Sequence, residues 1–243
     1  MKRNLEAACW CHTGRVRRRN EDNVYFDGKC LEQENNGLKH PVYMDEPVHN
    51  GMCLAVFDGM GVEESGRVAS FAAARQLQQL QRSEADYIYS GKSHLNDLVS
   101  QMNTAVWDQR KGLGVEVLGT TMVALFFSAQ DVYVCNVGSC KAYRMRGGEF
   151  LQLSQNPEQS ENTARYLGST QKNVKPYIAK GELCTGDRYL ICSDGLTEML
   201  SHFEISDILM RQPNVGQCVT ELITAALEHG GRDNVTAIVC NVT

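Results

Sequence analysis

The sequence predicts an α+β domain in which an antiparallel sheet core is covered by helices arranged in pairs. Three observations carry this reading. Short runs rich in Val, Ile, Tyr and Phe cluster together and are separated by Gly, Asn, Asp and Ser turns. Longer stretches with apolar residues three and four apart fall between those clusters. Strands and helices do not alternate regularly, as a parallel βαβ sheet would require.

Strands are expected at Met52–Phe57, Thr120–Phe127, Val132–Val137, Lys141–Met145, Arg188–Cys192 and Val235–Val242. The second, third and fourth follow one another through the short links "SAQD" and "GSC" and read as an antiparallel meander. One helix is expected over Glu64–Arg82, with Ala69, Ala73, Leu77 and Leu80 on one side. Leu95, Leu98, Val99, Met102, Ala105 and Val106 mark the face of a second helix. Val215, Cys218, Val219, Leu222, Ile223, Ala226 and Leu227 mark a third, which Gly230-Gly231 should stop. The polar stretches Gly28–Gly51 and Ser154–Lys180 read as loops. With no internal repeat and no boundary signal, a single domain over residues 1–243 is expected.

Composition narrows the function classes. Lys plus Arg number 24 and Asp plus Glu 29, a formal charge of -5 that argues against nucleic acid as the main partner. No apolar run approaches the ~20 residues of a membrane span. The N-terminal "MKRNLEAACW" lacks the continuous apolar segment of a signal peptide. The ten cysteines sit mostly in apolar strands, including Cys53, Cys135, Cys192 and Cys240, as free thiols do in a reducing compartment. A cytoplasmic location is expected. "CWCH" (Cys9 to His12) lacks a second ligand pair at zinc spacing and is expected to bind no metal.

Chemistry concentrates in the acidic positions. The apolar run "LAVFDGMG" ends in Asp58-Gly59, "RYLICSDG" ends in Asp194-Gly195, and Asp233 stands just before the strand "NVTAIVC". Glu21-Asp22 likewise precedes an apolar run. A carboxylate at the end of a buried strand is costly unless it is paired or binds a metal. An oxygen-only set suits hard divalent ions such as Mg²⁺ or Mn²⁺. Two ions sharing a bridging aspartate and water would relieve the mutual repulsion and could clamp a phosphoryl group. A glycine after Asp58 would let a backbone carbonyl approach such an ion.

The motifs "TGRVRRRNEDN", "VFDGMG", "GTTMVAL", "NVGSCKAYR", "ARYLG", "GDRYLICSDGLTEML" and "GGRDNVTAIV" occur in this order along nearly the whole chain. Together they resemble the metal-dependent Ser/Thr protein phosphatase family, type 2C, and in particular its bacterial single-domain members. The resemblance implies a central antiparallel β-sandwich flanked by α-helix pairs, a four-layer αββα arrangement, with two Mn²⁺ or Mg²⁺ ions at one end. It implies Asp58 as the bridging ligand, the carbonyl of Gly59 as a further donor, Asp194 and Asp233 on one ion and Glu21 on the other. Asp22 would orient water, and Arg17 would bind the substrate phosphate, its forked donors matching a phosphate dianion. Arg15, Arg18 and Arg19 are expected to be solvated surface charges. The implied reaction is hydrolysis of phosphoserine and phosphothreonine in proteins by a hydroxide bridging the two ions, with the targets of a Ser/Thr kinase as substrates and the enzyme a monomer.

Three features depart from the family pattern, and one further position, Met60, varies within the family. Met60 stands where some eukaryotic members carry a histidine proposed as general acid, and bacterial members commonly have Met there. Val62 and Glu63 replace a glycine and a histidine. Ser139 replaces an aspartate that helps bind a third ion in bacterial relatives, which leaves a third site weak. Gly28–Gly51 is a longer connection than many relatives show. Ser139 and Glu63 support the alternative of a non-catalytic member that binds metal and phosphoprotein as a regulatory module, while the intact two-ion ligand set supports the enzyme.

Overall fold

A computed structural model describes residues 3–83, 91–155, 166–169 and 174–243. Twelve strands within these residues form two six-stranded antiparallel sheets. The first sheet has the order β4 (Val42–Pro47), β1 (Asn4–His12), β12 (Val235–Val242), β11 (Arg188–Cys192), β8 (Lys141–Arg146) and β9 (Glu149–Gln152). The second has the order β10 (Tyr177–Glu182), β7 (Asp131–Val137), β6 (Leu118–Phe127), β5 (Cys53–Gly61), β2 (Asp22–Phe26) and β3 (Lys29–Cys30).

Alternation along the strands builds the layers, because successive side chains leave a strand on opposite faces. Leu54 and Val56 of β5 pack with Val123 and Leu125 of β6 against Leu5, Cys9, Ile191 and Ile238 of the first sheet. Ala55 and Phe57 turn the other way, onto α1 (Gly66–Ser83) and α2 (Lys92–Leu113). A third apolar cluster joins the outer face of the first sheet to α4 (His202–Arg211) and α5 (Val215–Glu228), with the one-turn α3 (Asp194–Thr197) beside them. The four-layer αββα sandwich expected from the motifs is therefore present.

The helical faces match the sequence spacing: Ala69, Ala73, Leu77 and Leu80, then Leu95, Leu98, Val99, Met102 and Val106, are all buried. Four details differ. α1 begins at Gly66 rather than Glu64, because residues 62–64 form a 3₁₀ turn in which Glu64 takes a positive φ of 59°. The expected meander stops after two strands: β6 and β7 pair, but β8 pairs with β11 in the other sheet. Asn136 anchors that crossing, since its Nδ2 donates to the carbonyls of Met122 (3.1 Å) and Cys140 (3.0 Å). The Gly28–Gly51 stretch is not all loop, for it contains β3 and the edge strand β4. Ser154–Lys180 ends in the first residues of β10, while much of its remainder, including Ala164 and Arg165 of "ARYLG", lies outside the described residues.

Candidate metal centre

The carboxylates named from the sequence gather at one end of the sandwich, where β2, β5, β11 and β12 begin or finish. Asp22 and Asp58 are direct cross-strand partners in the β2–β5 ladder. Thr121 of β6 is the partner of Asp58 on its other side, and Thr120 Oγ1 donates to the Asp58 carbonyl at 2.9 Å. Asp194 follows β11 through Ser193, and Asp233 precedes β12. Gly195 packs directly on the backbone of Asn234, which brings these two aspartates into neighbouring turns.

Asp22 ties the two sheets together. Its side chain is buried, and Oδ2 accepts hydrogen bonds from Ser193 Oγ at 2.8 Å and Thr236 Oγ1 at 2.6 Å. Burial raises its pKa to about 7, with Asp194 and Asp233 acting in the same direction and the two hydroxyls opposing. Asp58 is raised well above the ordinary carboxylate range by burial first and then by Asp22 and Asp194. Burial also raises Glu21, whose Oε1 is shielded from solvent and has no hydrogen-bonding partner.

Gly59 is fixed by close approach. A Cβ there would lie 2.2 Å from the Gly66 carbonyl oxygen and 2.6 Å from that of Glu21, so no side chain fits. Its amide donates to the Glu21 carbonyl at 3.2 Å, which joins the Glu21 segment to the end of β5. Arg17 reaches the same end of the molecule: Nη2 lies 2.7 Å from Asp233 Oδ2, and half of the side chain stays exposed.

Several contributors were not singled out by sequence. Asn234 Nδ2 donates to the carbonyls of Thr13 (2.7 Å) and Arg19 (2.9 Å), while its Oδ1 accepts from the Glu21 amide at 2.8 Å. Ser193 and Thr236 hold Asp22, and Glu198 feels Asp194 and Asp233, although burial is the larger cause of its raised pKa. Only the motif "RDNVT" and the "SDG" turn carried a signal for any of them. Arg19 is not merely solvated as expected. It pairs with Glu34 (3.3 Å) and Glu64 (3.1 Å), and Glu34 also pairs with Arg67 at 2.8 Å, so the long Gly28–Gly51 connection is fastened beside the site. Ser139 lies in the turn between β7 and β8. Its neighbour Cys140 is buried at 3.1 Å from Thr121 Oγ1, and burial together with Asp58, Asp194 and Asp22 pushes that thiol's pKa up. Cys9 and Cys11 are buried free thiols of β1, and Cys11 Sγ accepts from Asn20 Nδ2 at 3.0 Å and lies 3.1 Å from Thr236 Oγ1.

Among the described residues, no three carboxylate, His or Cys side chains are drawn tightly enough to close a metal cage by themselves. The set nevertheless fits hard divalent cations. The side-chain donors are all carboxylate oxygens, burial raises the pKa of both Asp58 and Glu21 even though Arg17 opposes it at Glu21, and Glu21 Oε1 is a buried acceptor with no hydrogen-bond partner.

An oxygen-ligand centre at the end of an αββα sandwich defines a class of divalent-cation proteins. The profile of the protein phosphatase 2C family matches residues 45–228, and the chain belongs to that family. It is 28% identical over 264 residues to the serine/threonine protein phosphatase PstP of Mycobacterium tuberculosis, an alignment covering 98% of this chain and 45% of that protein. The chain thus spans about half the length of that curated relative. It is 26% identical over 249 residues to the serine/threonine phosphatase stp of Listeria monocytogenes, covering 93% of this chain and 91% of that protein. Among solved structures, the catalytic domain of PstP in complex with two manganese ions superposes with a TM-score of 0.79 at 28% identity, covering 99% of each chain. The phosphatase MsPP of Mycobacterium smegmatis, in complex with cacodylate, has a TM-score of 0.71 at 26% identity and 97% coverage of each.

Proposed function

We infer that this chain is a Mn²⁺- or Mg²⁺-dependent hydrolase of phosphoserine and phosphothreonine in proteins, and that its substrates are targets of a Ser/Thr kinase. The observation that carries this is the convergence of Glu21, Asp22, Asp58, Asp194 and Asp233 from both sheets onto one end of the sandwich, with Arg17 beside them. Glu21 and Asp58, with the Gly59 carbonyl, would hold one cation, and Asp58, Asp194 and Asp233 the other. Bound there, the ions would supply Lewis acidity to a phosphoryl group and a water of lowered pKa.

The remaining work falls to the chain's own side chains. Arg17 spends one donor on Asp233, and its exposed guanidinium retains others for the oxygens of a phosphate monoester. Asp22 is fixed by two hydroxyl donors, so its carboxyl is held in one orientation from which it can accept a hydrogen bond from water. Met60 has no proton to give, so the leaving alkoxide must take its proton from water. The bundle of ligands and phosphate-binding residue is borne by residues 17–233, and we take the whole described chain as one catalytic domain.

The test is a manganese titration of phosphothreonine-peptide hydrolysis beside an Asp58→Asn control. Turnover should rise with Mn²⁺, vanish on chelation and be lost in Asp58→Asn. Manganese binding by calorimetry with no turnover on any phosphopeptide would instead assign a regulatory module, and full activity after exhaustive chelation would exclude the metal-dependent reading.

A further inference from the structure

β5 carries a row of side chains along one face toward the other sheet: Leu54 and Val56 in the core between the sheets, then Asp58 and then Met60. The opposite face of the same strand is bare at its end, where Gly59 and Gly61 pack against Gly66 and Ser65. Met60 therefore stands on the face that bears Asp58, about 7 Å further along by strand geometry, and it is 37% exposed. The residue opposite it on β6 is Gly119.

Past its pairing with Met122, β7 has turned away from β6, and Leu167 takes the vacated edge. It exchanges two backbone hydrogen bonds with Thr120, at 3.1 and 2.9 Å. Leu167 packs into the cluster beneath α1 and α2, so Tyr166, one residue earlier, turns to the other face. That is the face of Asp58 and Met60. The Tyr166 ring occupies the space a side chain at Gly119 would fill, with Cδ2 only 2.3 Å from an ideal Cβ there. Met60 and a partly exposed aromatic ring thus both border the same bare glycine on one face, beyond the carboxylates. Val62, two residues further, is 45% exposed.

We propose that Met60 and Tyr166, over Gly119, form an apolar seat for a side chain flanking the phosphorylated residue of a protein substrate. The seat selects phosphoproteins with an aliphatic or aromatic neighbour within two residues of the phosphoserine or phosphothreonine. This rests on the phosphatase reading above. The ~7 Å from Asp58 to Met60 equals two residues of extended peptide, so a substrate whose phosphate lies at the carboxylates brings that neighbour over Gly119. Thioether and ring both offer polarisable apolar surface, and neither offers a charge that would favour an acidic or basic flank.

The experiment compares kcat/KM, in saturating Mn²⁺, for two phosphothreonine peptides that differ only in carrying Leu or Ser at the two positions on either side. The same protein is assayed on p-nitrophenyl phosphate, which has no flanking residues. The Leu peptide should be preferred about tenfold, the scale of one partly buried aliphatic side chain. The preference should collapse in Met60→Ser/Tyr166→Ala and persist in Tyr166→Phe, which keeps the ring. Equal kcat/KM for the two peptides while p-nitrophenyl phosphate is hydrolysed would overturn the seat alone, as would a preference unchanged in the double variant. No hydrolysis of any of the three compounds would overturn the phosphatase reading itself.

Discussion

Removing one side chain that no metal would touch should damage the site more than its chemistry suggests. Asn234 is 4% exposed and makes three hydrogen bonds to backbone groups: Thr13 O, Arg19 O and Glu21 N. It thereby pins both ends of the arginine-rich segment, and with it Arg17 and Glu21, to the residue after Asp233. Each such bond contributes about 0.5–1.5 kcal/mol net, more if the abandoned group stays buried. Asn234→Ala should therefore cost about 2–4 kcal/mol, or roughly 5–15 °C in melting temperature for a chain of this size. Because Glu21 and Asp233 lose their common support, manganese affinity should also fall about tenfold, the low end for outer-shell ligand support. The assays are thermal unfolding with chelator and calorimetric manganese titration of both proteins. A melting temperature within one or two degrees of the parent, with unchanged affinity, would refute the idea that Asn234 organises the centre.

Arg17→Ala should raise KM for phosphopeptides about tenfold, as loss of a charged hydrogen bond predicts, and leave the number of bound manganese ions unchanged. If Arg18→Ala or Arg19→Ala does more harm in the same assay, the assignment within "RVRRRN" is wrong. Asp22 predicts a pH dependence. Its folded pKa of about 7 lies above its ordinary 3.8, so the folded metal-free protein retains a proton that the unfolded chain releases. The Asp22 contribution to metal-free stability should be greatest below about pH 4, decline by up to about 1.4 kcal/mol per pH unit as pH rises toward 7, and level off above it. Asp22→Asn, which can still accept from Ser193 and Thr236, should flatten that decline in urea unfolding measured from pH 5 to pH 8.

How much of this was legible in the sequence varies by the kind of signal. Asp58 and Asp194 stood out because an apolar strand that ends in a carboxylate contradicts its own pattern. The helix faces were legible because six or seven apolar residues repeat at helical spacing. β4 was hidden: as an edge strand it carries Asp45, Glu46 and Pro47, the residues that discourage further pairing. The sheet change between β7 and β8 was equally silent, since apolar alternation says which side of a strand is buried but not which sheet it joins. Ser193, Thr236 and Asn234 are ordinary polar residues whose value lies in partners 171, 214 and 213 positions away. Tyr166 likewise means little until Leu167 is seen paired with Thr120.

The contrast among the carboxyls explains why the centre can be both stable and receptive. Asp22 bridges the sheets with one oxygen satisfied by hydroxyls from the end of β11 and from β12, so it behaves as part of the scaffold. Asp58 and Glu21 lie at the same end but no hydroxyl among the described residues holds them, and burial keeps their pKa values up although the Gly66 backbone and Arg17 act the other way on Glu21. Asp233 borrows Arg17, a partner exposed enough to swing toward a phosphate. Closing every one of these groups with fixed hydrogen bonds would have given a sturdier protein, but it would have left no oxygen for a cation and no guanidinium for a substrate. The unpaired acceptor of Glu21 and the replaceable pairing of Asp233 are therefore where the fold gives up stability for function. The hydroxyl-bound Asp22, joining two sheets that each supply ligands, keeps that concession local to one end of the sandwich.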